Sequence, residues 1–149
     1  MLSFIGFQQS GKTTTAKAMS EFLNCSWIDT DKLLESRFQM PIKVLYTQLG
    51  EEAFRDVESQ VILAIDDNEA IISTGGGAVL RGENMLHLKR LGRIVFLNIS
   101  FETYVKRQQA APLFLANQRI EDVFEKRLRF YQKYADIIID CEKDGGSHE

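Results

Sequence analysis

The sequence predicts an α/β protein whose parallel sheet is covered by helices on both faces. Its apolar runs are short and continuous rather than alternating, as in Ala70-Ile71-Ile72-Ser73-Thr74 and Ile94-Val95-Phe96-Leu97-Asn98-Ile99. Such runs suit strands buried on both sides. Segments with helical spacing separate them, which is the pattern of repeated strand–helix–strand units. The first run, Leu2-Ser3-Phe4-Ile5, leads straight into a glycine-bearing loop.

In chain order, that loop opens a helix over 12–22, and Cys25-Ser26-Trp27-Ile28-Asp29 reads as the second strand. Asp31 or Thr30 can cap the next helix, which carries Leu33, Leu34 and Phe38 and is broken by Pro41. A short helix follows over 42–49, and Gly50 ends it. Residues 51–65 form a longer helix with Phe54, Val57, Val61 and Ala64 or Ile65 on one stripe. The third strand, 70–74, ends in Gly75-Gly76-Gly77. A helix over 83–91, the fourth strand at 94–99, and a helix over 101–109 come next, then a loop through Pro112. Ile120 to Tyr134 is amphipathic, with Ile120, Val123 or Phe124, Leu128 and Tyr131 inward. Ile137-Ile138-Ile139 is the last strand, and residues 142–149 are expected to fray.

The loop Gly6-Phe7-Gln8-Gln9-Ser10-Gly11-Lys12-Thr13 fits G-x-x-x-x-G-K-[ST], a phosphate-binding pattern. Successive backbone N–H groups must turn inward around a phosphate, and side chains at the glycine positions would block the approach. Lys12 supplies a point charge to the β- and γ-phosphates and the Thr13 hydroxyl a magnesium ligand, at a helix N-terminus that favours anions. ATP with Mg2+ is the expected pair.

Length and composition narrow the classes. The 149 residues suit one domain, read here as 1–141, and a formal net charge of −3 argues against nucleic-acid binding. No apolar run has the length of a membrane span, and Met1-Leu2-Ser3 shows no leader pattern. Cys25 and Cys141 lack metal-ligand spacing and read as free thiols, while His87 and His148 form no cluster. A cytoplasmic monomer is expected.

Acceptor chemistry is read from four places. Asp29 and Asp31 stand two apart at a strand's carboxyl end, where one can meet magnesium through water and the other orient or deprotonate a hydroxyl; helix capping is the plainer role. Arg55 and Glu58 share a helix face, so Arg55 either grips a carboxylate or pairs with Glu51, Glu52 or Glu58. Arg127 falls on the inward stripe of its helix, where a charge needs an anion, an internal partner or a snorkelling path. Three successive glycines after a strand signal close backbone approach or positive φ.

Together, the phosphate loop, Asp29-Thr30-Asp31, Gly50-Glu51-x-x-Phe54-Arg55-x-x-Glu58 and Ser73-Thr74-Gly75-Gly76-Gly77 resemble the shikimate kinase family. The resemblance implies a three-layer P-loop kinase fold with a five-stranded parallel sheet in the order 2-3-1-4-5. It implies transfer of the ATP γ-phosphate to the 3-hydroxyl of shikimate, in aromatic amino acid biosynthesis. By the same resemblance, Lys12 and Asp31 are catalytic, with Gln9, Ser10, Gly11, Lys12, Thr13, Thr14 and Arg107 binding ATP. Thr13 and Asp29 serve magnesium, and Asp31, Arg55, Glu58, Gly76, Gly77 and Arg127 serve shikimate. An acceptor segment at about 31–60 and a lid at about 108–118 complete the domain. Two positions depart from the family pattern: Gln9 stands where a third loop glycine is usual, and Ala111 precedes Pro112-Leu113 where the lid arginine is usual. The departures leave open Arg119 as a substitute, a kinase for another acidic polyhydroxylated acceptor such as gluconate, or a nucleotide-binding homologue with weak catalysis.

Overall fold

The computed structural model describes residues 2–108 and 118–141. Ala111-Pro112-Leu113, most of the expected lid, His148 and the tail 142–149 lie outside the described residues.

Five parallel strands form one sheet: β1 (Leu2–Ile5), β2 (Trp27–Asp29), β3 (Ile71–Ser73), β4 (Arg93–Asn98) and β5 (Ile137–Asp140). Their order is β2-β3-β1-β4-β5, as the family resemblance implies. Among the described residues seven helices connect them: α1 (Lys12–Leu23), α2 (Thr30–Phe38), α3 (Ile42–Leu49), α4 (Glu51–Leu63), α5 (Gly82–Leu91), α6 (Phe101–Arg107) and α7 (Ile120–Tyr134), with a 3₁₀ turn at Ala78–Leu80 that periodicity did not reveal. The inner strands β1, β3 and β4 are buried almost throughout, which is why they read as unbroken apolar runs. At the edge the covering thins: among the described residues, Ile137, Ile138 and Ile139 of β5 remain exposed.

Two local expectations are corrected. The cap of α2 is Asp29, not Thr30 or Asp31: its carboxylate accepts from the Asp31 N–H at 3.0 Å. Asp29 is the last extended residue, so its side chain meets the first free N–H groups of the helix. Pro41 does not itself end α2, which stops at Phe38 with Gln39 in the left-handed region; Pro41 caps α3 instead.

Register brings the site together. Ser73 pairs with Phe4 on one side and with Asp29 on the other. The loops after β1, β2 and β3 therefore leave the sheet at one level, on the carboxyl edge where such sheets bind ligands. Behind them lies an aromatic cluster. Phe7, itself a loop residue, stacks on Phe124 with centroids 4.3 Å apart and meets Tyr131 edge-on at 4.8 Å. That packing roots the phosphate loop in the core and docks α7 over it.

Candidate functional site

The triple glycine is the hub. Thr74 holds it to β1, its hydroxyl donating to the Phe4 carbonyl at 3.0 Å. The Gly75 N–H donates to the Thr30 hydroxyl at 3.3 Å, and the Tyr131 hydroxyl donates to the Gly76 carbonyl. The loop is thus tied to β1, α2 and α7 at once, and the helices bearing the candidate acceptor residues are tied to it.

None of the three glycines has positive φ, so close approach is what excludes side chains. A Cβ on Gly75 would lie 2.8 Å from Asp31 Oδ1 and 3.2 Å from Glu58 Oε2. One on Gly76 would lie 3.2 Å from Gln8 Cγ and 3.5 Å from Arg127 Nη1. One on Gly77 would overlap the Arg55 guanidinium. Asp31, Glu58, Arg127 and Arg55 therefore converge on three consecutive peptide units.

Arg55 is 3% exposed. Its Nε donates to Glu51 at 2.8 Å and its Nη1 to Glu58 at 2.8 Å. Although burial opposes the charge, Glu58 and Glu51 outweigh it and raise the guanidinium's pKa above its ordinary value. Arg127 is 6% exposed, and among the described residues no carboxylate is in salt-bridge contact with it. A buried guanidinium without an acid partner is costly unless a ligand supplies one. Both arginines line a cleft of about 320 Å³ with Glu51 and Arg81. Arg81 reaches across it to Asp56 at 3.0 Å and Glu52 at 3.4 Å.

Burial pushes the Asp31 carboxyl up to about 7, helped by the negative charges of Glu58 and Asp29 and opposed by Lys12. A carboxylate poised near neutrality suits proton transfer. Asp29 is raised too, mainly by burial, against the backbone bonds from Asp31 and Lys32.

On the nucleotide side, Gln9, Gly11, Lys12, Thr13, Thr14 and Arg107 line a second cleft of about 490 Å³. Ser10 is buried beside Gly6, its Oγ 3.1 Å from where a Gly6 Cβ would sit. Lys12 Nζ donates to the carbonyls of Gly6 and Phe7, each at 2.7 Å. Burial lowers its pKa to about 8, with Arg127 adding to the effect and Asp31 and Asp29 opposing it. Gln9 holds φ at 65°, the left-handed region that glycine occupies without strain. Its carbonyl accepts from Arg107 Nη1 at 2.6 Å.

Several contributors escaped the sequence reading. Glu51 was one of three acids weighed for Arg55, and Thr30 only a cap candidate; their contacts to Arg55 and Gly75 appear only in three dimensions. Tyr131 read as core, yet its hydroxyl is a tether. Its place four residues after Arg127, on one helix face, was the available signal.

Comparison with known proteins places the chain in a family. The shikimate kinase family model matches residues 8–146. A shikimate kinase of Lactococcus lactis subsp. cremoris is 37% identical over 91% of this chain and 85% of its own length. One of Sulfurihydrogenibium sp. is 38% identical over 93% and 86%. The solved structure of shikimate kinase from Aquifex aeolicus superposes with a TM-score of 0.82 at 31% identity, covering 94% of this chain and 86% of that one. The Acinetobacter baumannii shikimate kinase, solved in complex with shikimate, gives a TM-score of 0.82 at 25% identity over 93% and 82%. With that match spanning nearly its whole length, the chain belongs to the shikimate kinase family.

Proposed function

We propose that this protein transfers the γ-phosphate of ATP to the 3-hydroxyl of shikimate, as a step of aromatic amino acid biosynthesis. The carrying observation is the convergence of Asp31, Arg127 and Arg55 on Gly75, Gly76 and Gly77. One acid suited to a hydroxyl and two guanidiniums suited to a carboxylate fit a small hydroxy acid. Family membership favours shikimate over gluconate.

In this reading Lys12 exchanges the Gly6 and Phe7 carbonyls for the γ-phosphate and neutralises charge as the phosphoryl group moves. Arg127 and Arg55 hold the acceptor carboxylate, and Glu58 holds Arg55. Asp31 aligns the acceptor hydroxyl and takes its proton as the new O–P bond forms and the bond to the ADP oxygen breaks. Arg107, which donates to the Gln9 carbonyl of the phosphate loop, serves the adenine in this reading. Positioning and charge neutralisation carry most of the work.

Magnesium is tested by the donor set. No group of three or more His, Cys, Asp or Glu side chains could hold a metal among the described residues. Thr13 and Asp29 offer hard oxygens, few in number, which suits an ion that keeps waters and draws its other ligands from phosphates. Thr13 and Asp29 would hold the ion, which would supply neutralisation of the phosphate charge. Residues 1–141 act as one kinase domain, with an acceptor segment at about 31–60 and a lid at about 108–118. The protein works as a monomer in the cytoplasm.

The test is a coupled ADP-release assay with shikimate. Shikimate-dependent turnover is expected, and Lys12→Ala should reduce kcat by about 10³-fold or more. No shikimate-dependent ADP release at high protein concentration would defeat the reading.

A further inference from the structure

Glu51 opens α4, and its carboxylate is engaged from several sides. One oxygen accepts from Arg55 Nε at 2.8 Å, and the other accepts from the Tyr46 hydroxyl. It lines the same cleft as Arg55 and Arg127. Burial pushes the Glu51 carboxyl up, but the bonds from Tyr46 and Arg55 and the charges of Arg55 and Arg127 outweigh it and hold the carboxyl below its ordinary value. A carboxylate of the chain itself thus feels both guanidiniums that the acceptor's carboxylate would use.

The two acids on Arg55 are not equivalent. The Glu58 side chain is 1% exposed, so water cannot replace its partner if it leaves. The Glu51 side chain is 44% exposed, keeps its bond from Tyr46, and can leave at little desolvation cost. Glu58 is a fixed ligand of Arg55, and Glu51 is an exchangeable one.

We propose that Glu51 is an internal stand-in for the acceptor carboxylate: it occupies the Nε side of Arg55 and is displaced when an anionic acceptor enters. Glu51 thereby sets acceptor affinity, and it screens acceptors, because an uncharged analogue has no carboxylate with which to displace it. The inference rests on shikimate being the acceptor.

The opposite sign separates this from a mere supporting role. If Glu51 only held Arg55 in place, neutralising it would weaken acceptor binding. As a competitor, its neutralisation strengthens binding. The experiment measures KM for shikimate and for its uncharged methyl ester, in the full chain and in Glu51→Gln, whose single oxygen still accepts from Arg55 Nε while its amide N–H donates to the Tyr46 hydroxyl. KM for shikimate is expected to fall about threefold to tenfold, with kcat changing less and the ester's KM hardly moving. Glu52→Gln removes a charge from the same cleft wall without touching Arg55, and its KM should stay within about twofold of the parent. A rise or no change in the Glu51→Gln KM, an equal fall for the ester, or an equal fall in Glu52→Gln overturns the proposal. Absence of shikimate-dependent turnover in the unaltered protein is a different result, which removes the acceptor assignment itself.

Discussion

Lys12 and Arg55 are both buried cations at the same sheet edge, yet their charges are met in different ways. Arg55 sits between two carboxylates at 2.8 Å, and its guanidinium lies against Gly77 in a loop tied to β1, α2 and α7. Lys12 has no carboxylate in contact among the described residues; two carbonyls of its own loop accept its protons. Arg55 is therefore fixed by acids of the chain, whereas Lys12 is held by carbonyls of its own loop, a provisional arrangement that a stronger, anionic acceptor can outcompete. Arg127 stands between these cases, buried like Arg55 and lacking an acid partner among the described residues. Burial alone does not tell whether a cation belongs to the fold or to the ligand; its partners do.

The largest effects should come from setting the two acceptor arginines against each other. Arg127→Ala is expected to raise KM for shikimate on the order of a hundredfold while leaving the melting temperature nearly unchanged. Arg55→Ala leaves Glu58 buried without its cation and is expected to lower the unfolding free energy by about 3–5 kcal/mol. Thermal and urea unfolding of both variants measures this, and equal destabilisation would erase the distinction drawn here.

A smaller effect concerns Asp31, whose carboxyl is pushed up to about 7 from an ordinary value of 3.8 by burial and by Glu58 and Asp29. Between those two values the folded protein holds a proton that the unfolded chain releases, so this contribution to stability is full below the lower value and is lost as pH rises through the higher one. Asp31→Asn should flatten that arm of the curve in urea titrations without magnesium or nucleotide. An unaltered slope would assign it to other groups.

The smallest effect tests the provisional half. Gln9 takes a left-handed conformation at φ 65°, so Gln9→Gly should relieve strain and raise stability by no more than about 1 kcal/mol, with the greater freedom of glycine in the unfolded chain offsetting part of it. Destabilisation in a urea titration would mean that the glutamine side chain contributes contacts that outweigh its backbone strain.

Much of the fold was legible in advance. The bounds of α3 and α7 were read correctly because Pro41, Gly50 and a strong apolar stripe mark them. The end of α2 was misjudged because proline is a loud signal while Gln39, which turns the chain, is a quiet one. Among the candidate site residues, Lys12, Asp31, Arg55, Glu58 and Arg127 stood out because each is a charge at a strand end, in a loop motif, on an inward stripe or on the same helix face as another candidate. The tethering by Thr30 and Tyr131 was not legible, because a hydroxyl at a cap or in a core stripe looks the same whether or not it ties down a loop, while Glu51 was one of three acids open to Arg55 and only the structure chose among them.

Local chemistry along the chain was enough to specify the strands, the helices and a phosphate-binding turn, since apolar period and glycine spacing act over a few residues. Which acids would hold Arg55, that Arg127 would have no acid in contact among the described residues, and that all of them would meet on three glycines depended on strand register and on the docking of α7. Those are contacts between distant segments, and their energies exist only once the sheet has brought the segments together.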